Sequence, residues 1–155
     1  MFKRMSVDVR SEIEIERPRI EVAAYAGDLD NTTEWYQNIK AVDWKTPKPL
    51  ALGSQIAFVA EFLGRQLAYT YGVTELIPAR RLVMRTAEGP FPMETSYTWE
   101  DSSTGGTRMT LRNRGEPAGF AKLAGVAMAS AMRRANRKDL LRLKGILERI
   151  TEERP

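Results

Sequence analysis

Strict alternation opens the chain. In residues 6–16, SVDVRSEIEIE, Val7, Val9, Ser11, Ile13 and Ile15 fall on one side and Asp8, Arg10, Glu12, Glu14 and Glu16 on the other. A period of two, with apolar and charged positions cleanly separated, predicts a strand buried on one face and solvated on its back. The period then changes. PRIEVAAYAG, with Pro18 suited to a first helical turn and Gly27 to a stop, predicts a short helix. DLDNTTEWYQNI predicts a second, with Asp30, Asn31 or Thr32 available as caps and Trp35, Tyr36 and Ile39 at helical spacing.

Beyond Asn38 the pattern returns to short runs broken by turn formers. AVDWK, SQIAFVAEFL, QLAYTYGVTELI, RRLVMRTA, METSYTWE and TRMTLRNRG read as strands. KTPKPLALG, Gly64-Arg65, Pro78, EGPFP and DSSTGG separate them. Connections this short imply antiparallel neighbours, since parallel pairs need long crossovers. With the first strand the count is seven. From about Ala118 to about Glu153 the chain then reads as one helix, roughly 50 Å long and able to cross a whole sheet. A line stepping at 3.6 residues passes near Ala121, Gly125, Met128, Met132, Asn136, Asp139, Leu140, Leu143, Leu147 and Ile150. Arg134, Arg137, Lys138, Arg142 and Arg149 lie away from it, so one stripe faces protein and the basic side meets water.

The helix has two unlike halves. Ala121, Ala124, Gly125, Ala127 and Ala131 are small, whereas Leu140, Leu143, Leu147 and Ile150 fill a contact. Small residues opposite a sheet either let the helix approach closely or leave space between the two. The opposing strand faces carry Leu67, Tyr69, Tyr71 and Val73, then Thr95, Tyr97 and Trp99, then Met109, Leu111 and Asn113, with Phe58 and Phe62 as a further layer. An aromatic, methionine-bearing, sparsely polar face suits a pocket for a mostly apolar molecule with a few hydroxyl or carbonyl groups. It equally suits a packed core, which composition alone favours.

Composition narrows the chemistry. At 155 residues, 43% hydrophobic and 28% charged, the chain has the make-up of one ordinary globular domain spanning 1–155. No run is apolar enough to span a bilayer, and the basic start MFKRMSVDVRSE has no apolar stretch behind it, so a cytoplasmic location is expected. There is no cysteine and no histidine, which excludes disulfides, thiolate metal sites and every imidazole-based catalytic arrangement within this chain. The acidic residues are not spaced as a metal cluster, and GEPAGFAKLAG lacks phosphate-loop spacing; no metal and no cofactor are expected. The net charge of +4 is concentrated: residues 118–155 carry +5 and the remainder −1. That basic helix reads first as a solvated face and second as a contact for anionic membrane or RNA.

Three stretches resemble a known family. IERPRIEVAAYAGDLDNTTEWYQNI, YGVTELIPARRLVMRTAEGPFPMETSYTWE and GGTRMTLRNRGEPAGF, followed by the terminal helix, are similar in content and order to the SRPBCC superfamily, the START and birch-pollen-allergen-like helix-grip proteins, in its polyketide cyclase/dehydrase-like branch. The resemblance implies an α+β helix-grip fold: a seven-stranded curved antiparallel sheet around a long C-terminal helix, with a cavity for lipid-like or polycyclic ligands. It moves the pocket ahead of the packed core. It supplies no shared catalytic residues.

The expected ligand-binding set is therefore Trp35, Phe58, Phe62, Tyr69, Tyr71, Met84, Thr95, Tyr97, Trp99, Met109, Leu111, Asn113, Phe120 and Met128. The entrance is expected near Trp35, Phe91 and Phe120. A small hydrophobic ligand is the expected partner, without DNA, to a monomer or homodimer. The alternative is a cyclase or dehydratase using the same cavity. There Tyr69, Tyr71 or Tyr97 would handle protons while Asn113 and Thr95 orient carbonyls. Asp139 is expected to pair with an arginine, because a lone buried carboxylate is costly. Arg85, Arg108, Arg112 and Arg114 fall on outward strand phases.

Overall fold

A computed structural model of the chain describes residues 7–62, 64–89, 92–116 and 122–152, with the side chains of 62, 122–126 and 150–152 outside the description. The alternating segments become β1 (Val7–Ile15), β2 (Ile39–Trp44), β3 (Gln55–Phe62), β4 (Arg65–Ile77), β5 (Arg81–Glu88), β6 (Met93–Asp101) and β7 (Thr107–Gly115). They form one sheet in the order β1-β7-β6-β5-β4-β3-β2, with every neighbouring pair antiparallel. The segment between the two edge strands holds α1 (Arg19–Ala26), a 3₁₀ turn (Leu29–Asn31) and α2 (Thr32–Trp35). The last element is α3 (Lys122–Glu152), about 46 Å long at 1.5 Å per residue.

The faces separate as their period dictates. Along β1, Val7, Val9 and Ile15 are buried while Asp8, Arg10, Glu12 and Glu14 are exposed. The wet face of the sheet is laced across strands by Arg112–Asp8, Arg108–Glu14, Arg85–Glu94 and Arg114–Glu94 pairs, which places all four arginines outward. The entry into the 3₁₀ turn is capped by Asp28, whose side chain accepts from the Asp30 amide, while Asn31 holds the N-cap position of α2 without a side-chain cap bond. A carboxylate two residues ahead reaches that amide directly.

β4 departs from simple alternation. Its pairing with β5 shifts register at Thr70/Tyr71 and again between Val73 and Glu75. The second shift changes the phase. Leu67, Tyr69, Tyr71 and Val73 share the inner face, and beyond the bulge Leu76 packs inward while Glu75 pairs with Arg81.

α3 follows β1. Met128 and Met132 pack with Val7 and Val9, and Leu140, Leu143 and Leu147 join the cluster holding Ile15, Trp99 and Met109. Its far half is tied down by polar contacts as well. Glu148 Oε2 accepts from the Glu16 amide at 2.9 Å, and Lys144 Nζ donates to the Glu14 carbonyl at 2.8 Å. Arg133, Arg134, Arg137, Lys138 and Arg142 are exposed, as the stripe requires. No helix among the described residues is long and apolar enough to cross a membrane.

The core is divided. A large cluster centres on Trp35, Tyr97, Leu111 and Leu143, and a smaller one on Val7, Val9, Tyr69, Met93, Met128 and Met132. Leu143 has no exposed surface. Leu143→Ala is expected to cost about 2–5 kcal/mol, the range for emptying a packed leucine site, as read from urea unfolding.

Candidate functional site

A cavity of about 150 Å³ lies between the sheet and α3, in the gap between the two core clusters. Its floor comes from alternate positions on four strands: Phe58 and Ala60 of β3, Leu67, Tyr69 and Tyr71 of β4, Met84 of β5, and Met93, Thr95 and Tyr97 of β6. Asn113 of β7 completes it, in register with Thr95. The roof is one face of α3, with Met128, Met132, Ala135, Asn136 and Asp139 at spacings of three and four residues. Thr32, Tyr36, Asn38 and Ile39 close one end, and the exposed Glu61 marks the rim.

The polar groups of this wall are mostly bound to one another. The Tyr36 and Tyr97 hydroxyls lie 2.6 Å apart and share one hydrogen bond. Thr95 Oγ1 donates to Asn113 Oδ1 at 2.8 Å, and Thr95 also bonds the Tyr71 hydroxyl. Phe58 meets Tyr71 edge-on at 5.7 Å, and Tyr69 lies 6.0 Å from Tyr71. Burial pushes the Tyr71 hydroxyl up to about 12 and raises those of Tyr36 and Tyr97 well above the ordinary phenol value. These phenols are donors at neutral pH and are unable to act as bases.

Two groups on α3 are less well satisfied. Asn136 is 5% exposed, and its Nδ2 has no hydrogen-bond partner among the described residues. Asp139 is 3% exposed, and its Oδ1 accepts from the Gln37 amide at 3.0 Å. Loss of water pushes the Asp139 carboxyl up to about 6, with the Gln37 amide and the charge of Arg142 opposing the rise. The expected arginine partner is thus replaced by a backbone amide. The exit from α2 brings that amide to the helix, whereas Arg142 stays exposed.

Of the residues singled out from sequence, Phe58, Tyr69, Tyr71, Met84, Thr95, Tyr97, Asn113 and Met128 border the cavity. Trp35, Trp99, Met109 and Leu111 are packed within the large cluster and do not line it. Trp35 is fully buried against Tyr36 and Tyr97, so it does not mark the entrance. Phe62, Phe91 and Phe120 lie outside the described side chains. Tyr36, Met93, Met132 and Ala135 were missing from the expected set. The inward stripe of α3 already pointed to Met132, and strand alternation to Met93. The small residues do not all face the hollow: Ala127 is exposed, while Ala135 is at the wall.

Comparison with known proteins gives a consistent picture. A family model described as polyketide cyclase / dehydrase and lipid transport matches residues 6–148. Among solved structures, TTHA0849 from Thermus thermophilus superposes with a TM-score of 0.77 at 20% identity, covering 89% of this chain and 94% of that one. The ZhuI aromatase/cyclase from Streptomyces sp. R1128 gives 0.76 at 16% identity over 92% and 93%. A START superfamily protein from Mycobacterium smegmatis gives 0.78 at 14% identity over 92% and 98%. At these identities the likeness is one of fold. Among curated sequences, 99 residues are 29% identical to tRNA pseudouridine synthase B of Geobacillus kaustophilus (strain HTA426), which is 64% of this chain and 32% of that protein. The chain spans about a third of that enzyme's length, and the match assigns it no activity.

Asp139 makes stability depend on pH in a defined sense. Its folded-state value near 6 exceeds the ordinary 3.8, so between those values the folded chain holds more protons than the unfolded one. Stability therefore falls as pH rises through that window, by on the order of 3 kcal/mol at most. Asp139→Asn keeps an acceptor for the Gln37 amide and removes the charge. Thermal unfolding should find the variant more stable than wild type at pH 7.5, with that advantage lost at pH 4.

Proposed function

This chain belongs to the polyketide cyclase/dehydrase and lipid transport family, and from that premise we propose that it binds a small, mostly apolar molecule in the cavity between the sheet and α3. The observation that carries the reading is the split core. Phe58 and Met84 from one cluster and Met93, Met128 and Met132 from the other present apolar side chains to a space of about 150 Å³ that lies between the two. A gap of that size, lined as this one is, costs stability when nothing fills it. Engineered apolar cavities of about 150 Å³ take up benzene, so one ring or a short branched chain matches the enclosed part. A larger ligand would extend past Glu61.

Filling the space from the protein side tests the reading. Ala135→Trp places an indole against the wall from a half-buried helical position. Native mass spectrometry of protein purified from its own host is expected to show a bound small molecule on wild type and none on the variant. Equal occupancy of the two, or a bare wild type, would remove the cavity from consideration.

One observation favours catalysis as a second reading. A carboxyl that titrates near 6 at the wall of a largely apolar cavity is tuned for moving protons at neutral pH. Asp139, with the Tyr36–Tyr97 pair donating to a carbonyl oxygen, suits enolisation and dehydration of a poly-carbonyl chain better than the tyrosines alone, whose hydroxyls stay protonated. Under this reading Asp139→Asn lowers turnover of a poly-β-carbonyl thioester by about a hundredfold or more, while binding of the chain persists. Unchanged turnover would exclude the carboxyl as the proton carrier.

A further inference from the structure

Both charged groups in the described wall of the cavity are carboxylates, Asp139 inside and Glu61 at the rim. No lysine or arginine among the described residues lines it, although α3 carries six exposed cations among its described side chains. The remaining polar groups are neutral: tyrosine hydroxyls, Thr32, Thr95 and the amides of Asn38, Asn113 and Asn136.

We propose that this cavity selects an uncharged ligand, one whose polar end is a carbonyl or hydroxyl group, and that Asp139 is the group that turns carboxylates of the same shape away. The inference rests on the reading that the cavity is the binding site, and it names the chemistry of what enters.

The polar inventory supports it from two sides. Donors for a neutral oxygen are present. Asn136 Nδ2 is buried without a hydrogen-bond partner among the described residues. The Tyr36 and Tyr97 hydroxyls use only one of their two hydrogens on each other. A carbonyl or hydroxyl oxygen seated against this part of the wall satisfies such donors at no cost in charge burial. A carboxylate entering the same place loses its hydration, finds no cation among the described residues, and sits beside a second carboxylate. An ammonium fares little better. Asp139 Oδ1 is already engaged by the Gln37 amide, Arg142 weakens its field, and the two tyrosine oxygens share one hydrogen bond. That leaves one partly used counter-ion where a buried cation needs several acceptors.

An isosteric series tests the selection directly. Isothermal titration at pH 7.5 with 4-butylacetophenone, 4-butylbenzoate and 4-butylbenzylammonium compares one shape carrying no charge, a negative charge and a positive charge. The ketone is expected to bind wild type at least tenfold more tightly than either ion. In Asp139→Asn the gap between ketone and benzoate should narrow at least threefold. Benzoate or the ammonium ion binding wild type as tightly as the ketone overturns the proposal. A gap of unchanged size in the variant overturns the role given to Asp139. Absence of binding by all three compounds instead overturns the underlying reading of the cavity as a binding site.

Discussion

One helix is too narrow for the sheet it covers. Seven strands spaced about 4.8 Å apart make a surface close to 30 Å across, and a helix with its side chains is about 10–12 Å wide. α3 takes the side nearest β1, where leucines and methionines meet alternate residues of that strand. α1 reaches the sheet beside Trp99, and its last turn is so close that a Cβ on Gly27 would lie 3.3 Å from that ring. What remains between these supports is spanned, among the described residues, by the side chains of β3 to β7 and by the short α2 exit. The cavity is the remainder of that geometry. Its position follows from where the helices stop.

The chemistry of the remainder follows from the same arrangement. Strand positions that would pack against a helix meet open space here, so polar side chains can occupy them without being crushed, provided they find partners. Thr95 and Asn113 do so across neighbouring strands, Tyr71 reaches Thr95 over the intervening β5, and Tyr36 and Tyr97 do so across the gap to α2. Asp139 and Asn136 lie on the buried stripe of α3 in places where leucine would continue the pattern. A buried carboxyl and an unpaired amide nitrogen weaken a fold taken alone. Both lie on the side that borders the cavity, where the proposed ligand would meet them.

Much of this was legible in the order of residues. Period-two runs located all seven strands to within about two residues, and β7 matched its stretch end to end. The inward line of α3 was readable from 3.6-residue spacing through Met128, Met132, Asn136, Asp139, Leu140, Leu143 and Leu147. The lining was legible only by face. Alternation says that Tyr97 and Trp99 look the same way, but not that a cavity lies under Tyr97 and α1 lies over Trp99. Trp35 was misplaced for a similar reason: helical spacing brings it inward, and nothing in a short helix tells an inward ring from one at an opening. The Asp139–Gln37 contact joins residues 102 positions apart, and no local pattern encodes it.

The fastening of α3 is lopsided. Its rear is locked by three leucines and by two hydrogen bonds to the backbone where β1 ends, whereas among its described side chains the stretch from Met128 to Met132 meets the sheet through two methionines beside the cavity. Adaptable thioethers border the cavity while leucines seat the rear, so under the proposed binding role the side chains that shape themselves to a guest and those that hold the fold lie on different stretches of the same element.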